Sequence, residues 1–144
     1  MSLENPNIKK ADLFSGLRKR WEKYTSPKDI IDDLEQYQPA YLALTSTSTY
    51  LPGSPNVTKR VNRLYRAGRP SSIFPFVLKL LRVFEEEKIS ENSVSETLDA
   101  LESFLFRRAI LGIEPTGLHA VFKGLWQELI GDTPESEWSE RLTA

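Results

Sequence analysis

Apolar residues recur along this chain at intervals of three and four, the mark of helices that bury one face. Leu13, Leu17, Trp21 and Tyr24, spaced +4, +4 and +3, define a first short amphipathic helix. It breaks at Ser26-Pro27. Ser26 suits an N-cap, and Pro27 suits the first helical position, where its missing N–H would find no partner anyway. Asp29 then falls at the third helical position, where its carboxylate can bond back to the cap. From there Ile30, Leu34, Tyr37, Tyr41 and Leu44 follow at +4, +3, +4 and +3, which predicts one continuous helix. Pro39 lies inside it and should kink it, because proline removes a backbone donor and crowds the preceding turn.

Residues 45–56 are rich in Ser and Thr and contain Pro52, Gly53 and Pro55, which predicts a polar loop. Val57, Val61, Leu64 and Tyr65 mark the next helix, closed by Gly68 and Pro70. Ile73, Phe76, Val77, Leu80, Leu81 and Phe84 are apolar over a wide face, so this helix should be central. Ser90 is the expected N-cap of a long helix containing Val94, Leu98, Leu101, Leu105 and Ile110, closed by Gly112. Pro115 opens the last strong helix, with Leu118, Val121, Phe122, Leu125 and Leu129, stopped by Gly131. No stretch alternates like a strand between hairpin turns.

The expected fold is therefore all-α, an irregular array of five to seven packed helices with little or no strand. Residues 1–10 read as a disordered or cloning-derived tail, residues 11–131 as a single helical domain, and residues 132–144 as a weakly structured tail anchored by Trp138.

Composition narrows the chemistry. The 144 residues include no cysteine and a single histidine. That removes disulfides, thiolate metal sites and a cysteine nucleophile, and it leaves His119 without a second imidazole for zinc. Cysteine-free composition fits a reducing compartment, so a cytoplasmic location is expected. No apolar run approaches the roughly 20 residues of a membrane span, so no membrane partner is expected. The seven glycines are scattered and none precedes Lys-Ser or Lys-Thr, so no phosphate-cradling loop is present and no cofactor is expected. His119 has no serine elbow beside it in sequence and reads as a surface or partly buried residue.

Net charge is −1, but the charges are segregated. Residues 36–84 hold seven cations and no acid, whereas residues 85–102 hold seven acids against Lys88 alone. Lys59, Arg60, Arg63, Arg66 and Arg69 place five cations within eleven residues. Such a helix can grip nucleic-acid phosphates by releasing condensed counterions. It can equally pair with the acid-rich segment. The acids at Asp29, Asp32, Asp33 and at Glu85 to Glu87 read as solvated helix faces. Arg107 and Arg108 point about 100° apart on a helix, so one of them should lie against packed surface. There it can hold the helix end and its terminal carbonyls.

The run from Leu101 through Phe104-Leu105-Phe106-Arg107-Arg108-Ala109-Ile110-Leu111-Gly112, with Pro115-Thr116 and Phe122 beyond it, resembles the helical middle region of GmrSD-type restriction proteins. The upstream run from Pro75 to Phe84 resembles the preceding helix of that family, and the likeness extends over about residues 28–130. Arg107, Arg108 and Gly112 carry its motif. The resemblance implies a connector between a ParB-like nucleotide-hydrolysing domain and a His-Me finger nuclease domain, which would be its partners, together with DNA.

Neither active site is carried over. The nucleotide-hydrolysing motif Asp-Gly-Gln-Gln-Arg has no counterpart, since Gln36, Gln38 and Gln127 stand apart. The nuclease motif needs more than the lone His119. After Pro115-Thr116, where the family tends to have Asn, this chain has Gly117-Leu118-His119. The expected function is thus a non-catalytic helical connector of a modification-dependent restriction protein, touching DNA phosphates through Lys59, Arg60, Arg63, Arg66 and Arg69. The rival is a protein-interaction module without a nucleic-acid role, anchored by Trp21, Trp126 or Trp138.

Overall fold

The computed structural model describes residues 9–45, 54–67, 71–114 and 117–144. Among these there are eight α-helices and no strand: α1 (Leu13–Trp21), α2 (Pro27–Glu35), α3 (Gln38–Thr45), α4 (Pro55–Arg66), α5 (Phe74–Glu85), α6 (Glu91–Ile110), α7 (Leu118–Leu129) and α8 (Trp138–Thr143). The all-α expectation stands, with one helix more than the upper count.

The extra helices have local causes. Between Ile30 and Leu44 the chain does not kink but stops at Gln36 and Tyr37 and restarts, so that Pro39 becomes the second residue of α3. That position needs no intrahelical donor, which a kinked helix interior would have lost. The restart rotates α3: Ala40, Ala43 and Leu44 turn inward, and Tyr41, expected on the buried stripe, is half exposed. Residues 132–144, expected to be weakly structured, form a short 3-10 turn and α8. Here the indole Nε1 of Trp138 donates to the Thr133 carbonyl at 2.7 Å, and its ring meets Trp126 edge-on at 5.9 Å. The expected N-caps at Ser26 and Ser90 are present, but α7 begins at Leu118 with Gly117 as its N-cap, and Pro115, Gly68 and Pro70 lie outside the described residues. Ser26 and Asp29 form a reciprocal capping box at α2, and the Ser90 hydroxyl accepts the Ser93 N–H at α6.

The core draws on α3 to α7. α5 lies between α3, α6 and α7 and supplies Phe76, Val77, Leu80, Leu81 and Val83, all essentially inaccessible. Val57, Val61 and Leu64 of α4 close it on one side, and Leu118, Phe122 and Trp126 of α7 on another. α4 packs on α3 and α6, and α8 packs on the first half of α6. Neither α1 nor α2 buries a residue, and they stay peripheral, tied to each other by Arg20 and Asp33 at 3.4 Å.

Three glycines end or begin helices with a left-handed backbone: Gly112 (φ +62°), Gly117 (φ +86°) and Gly131 (φ +50°). At Gly112 the geometry is a Schellman close, in which Ile113 N–H bonds the Arg108 carbonyl and Gly112 N–H the Ala109 carbonyl, both at 3.1 Å.

Candidate interaction surfaces

The basic helix faces inward more than its sequence suggests. Because Val57, Val61 and Leu64 bury one side of α4, Arg60 and Arg63 are carried to the flank that packs on α6. There Arg60 Nε donates to Asp99 Oδ2 at 2.9 Å, and Arg63 Nη2 reaches both Asp99 and Glu102, the latter at 2.6 Å. Each such partly exposed pair contributes only about 0–1 kcal/mol, but the pairing neutralises two of the five cations proposed for phosphate. Lys59 and Arg66 remain exposed, with no ion-pair partner among the described residues. Arg69 lies outside the described residues.

A second network joins the α5–α6 turn to the C-terminal segment. Lys88 Nζ sits 3.0 Å from Glu86 and 2.9 Å from Glu135, with its ammonium 5.9 Å from the Trp138 ring. Hydrogen bonds to Glu135 and then Glu86 raise the Lys88 amine above its ordinary range, against a small opposing effect of burial. Burial pushes the Glu86 carboxyl upward, but the Lys88 bond and the charges of Arg82, Lys88 and Lys79 outweigh it, and its pKa is lowered. These charges join the α5–α6 turn to the 3-10 turn that precedes α8. They show no convergence around a cavity.

The two arginines of the family-like motif divide their work. Arg108 lies half buried, its guanidinium 5.8 Å from the Phe104 ring and donating to the Glu114 carbonyl at 2.8 Å, so it fastens the close at Gly112. Arg107 is exposed, and its Nη2 bonds Ser103 Oγ of its own helix at 2.9 Å. His119 is exposed in the first turn of α7. No three His, Cys, Asp or Glu side chains converge as a metal site among the described residues. A shallow depression between Thr133, Glu137, Glu140, Arg141 and Ala144 is open and polar.

What does stand out is apolar. α6 is 20 residues long, about 30 Å. All its buried residues lie between Ser93 and Leu101, and none lies in its last nine residues. That stretch rests on α7 only along one edge, where Phe104 meets Phe122 at 6.0 Å. Its opposite side carries Phe106 and Ile110, exposed to 65% and 69%, and Leu111 at the C-cap is 70% exposed. A second exposed apolar group lies on α2, where Ile31 and Leu34 are 55% and 54% exposed one turn apart, and Tyr41 at the start of α3 is half exposed.

Large side chains left open in such groups are candidate contact surfaces. Sequence reasoning missed both. The signal was present in α6: with Leu98, Leu101 and Leu105 already filling one face, Phe106 and Ile110 form a second apolar face on the same helix. Trp126 is buried, and Trp21 and Trp138 are half covered.

No known protein family, curated protein or solved structure matches this chain.

Proposed function

We propose that this chain is a non-catalytic helical docking domain that joins other protein units through the second half of α6. The observation that carries the reading is the pair Phe106 and Ile110, held open one turn apart on a helix whose buried side chains all lie between Ser93 and Leu101. An apolar face of this size is costly in water unless something covers it for part of the protein's working life. The resemblance to GmrSD-type middle regions supports the connector form of this reading, in which the covering units are the nucleotide-hydrolysing and nuclease domains. The alternative is a free-standing interaction module.

The test is the size of the assembly that holds the chain in native cell extract. Wild type should elute well above its own 16.5 kDa mass, and the variant Phe106→Asp/Ile110→Asp should elute as a monomer with unchanged circular dichroism. Wild type and variant eluting alike would remove the reading.

A second reading, contact with nucleic-acid phosphates, is favoured by the exposure of Lys59 and Arg66 seven residues apart on one side of α4. It predicts weak, strongly salt-dependent gel shifts that Lys59→Ala/Arg66→Ala reduces uniformly across DNA sequences. Equal shifts for both proteins at low salt would exclude these two cations.

A further inference from the structure

We propose that the apolar second half of α6 in one copy of the chain docks on the α2–α3 face of another copy, head to tail. The proposal rests on the docking reading above and names its partner.

The two faces complement each other in charge as well as in apolarity. From Ser103 to Ile113 the α6 face carries Arg107 and Arg108 and no acid. Arg108 is engaged with Glu114 and Phe104, so Arg107 supplies the exposed charge, and its bonds to Ser103 leave that charge unneutralised. On the other face Ile31 and Leu34 lie one turn apart on α2, and Tyr41 is half exposed on α3 beyond the break at Gln36 and Tyr37. Asp32 and Glu35 are exposed on α2 beside these residues and make no ion pair among the described residues. The neighbouring acids are already used, Asp33 by Arg20 and Asp29 by the Ser26 cap. The one cation on α2, Lys28, stands one turn before Ile31 and Asp32, so this face keeps a net negative charge of one from Lys28, Asp32 and Glu35.

Like against like fails on charge. Two α6 faces meeting about a twofold axis put two Arg107 side chains into one contact with no acid between Ser103 and Ile113 to answer them, and two α2 faces put four carboxylates there against two copies of Lys28. Only the unlike pairing sets Arg107 against Asp32 and Glu35 while covering both apolar groups. A contact between different faces of identical chains is heterologous, so it propagates into a ring or a short filament instead of stopping at two.

Sedimentation velocity of the purified chain over two decades of concentration reads this directly. Wild type should associate beyond a dimer, and raised salt should weaken the association. Phe106→Asp/Ile110→Asp and Ile31→Lys/Leu34→Lys should each be monomeric alone. Mixed in equal amounts they should form a heterodimer and go no further, because one intact α6 face then meets one intact α2–α3 face. Loss of folding cannot produce that rescue. A wild-type chain that stays monomeric when pure overturns the proposal, and the docking reading survives if the large assembly in extract still depends on Phe106 and Ile110. Mixing without rescue, or self-association of the Ile31→Lys/Leu34→Lys variant, overturns it as well.

Discussion

Replacing Phe76 by alanine should cost about 3–5 kcal/mol of folding stability, a large share of what a domain this size holds. Phe76 is fully inaccessible on the central helix α5, and its ring meets Trp126 edge-on at 5.9 Å. Trp126 in turn meets Trp138 at 5.9 Å. The deletion thus removes apolar transfer energy, leaves a cavity, and takes one support from the aromatic chain that docks α8. Phe76→Leu, which keeps most of the volume, should cost less than half as much. Urea unfolding followed by circular dichroism gives both values. A loss below about 1 kcal/mol for Phe76→Ala would mean that α5 is not the centre of the core.

The second large effect lies in α6 and depends on which face is cut. Leu98→Ala should destabilise by about 2–5 kcal/mol, whereas Ile110→Ala should change stability by less than about 0.5 kcal/mol. Both are large aliphatic residues of one helix, yet Leu98 is 1% exposed and Ile110 69%. Leu98 sits in the stripe with Val94, Leu101 and Leu105. Ile110 lies five residues beyond Leu105, about 140° around the helix. Equal losses at the two sites would show that the second half of α6 is packed in the folded monomer, and the docking surface would vanish with that result.

The candidate surfaces were only partly legible before the fold was known. The capping box of Ser26 and Asp29, the Ser90 cap and the turn at Gly112 depend on groups within a few residues of one another, so spacing alone exposed them. The partners of the basic helix are a different matter. Arg60 and Arg63 could equally have faced solvent or the acid-rich segment, and both arrangements fit the same charge pattern. Asp99 lies 39 residues from Arg60 and 36 from Arg63, and only the packing of α4 on α6 brings them together.

The sequence by itself determined the helical class, most helix boundaries and the apolar stripes of α4, α5 and the first half of α6, because these follow from periodicity and local capping. Tertiary structure decided which apolar residues stay inside. Tyr41 and Ile110 look like core residues in the pattern but find no neighbouring helix to cover them, while Trp138 finds Trp126 and orders the C-terminal segment around itself. Burial is a property of what packs opposite a residue, and that depends on how distant helices are brought together.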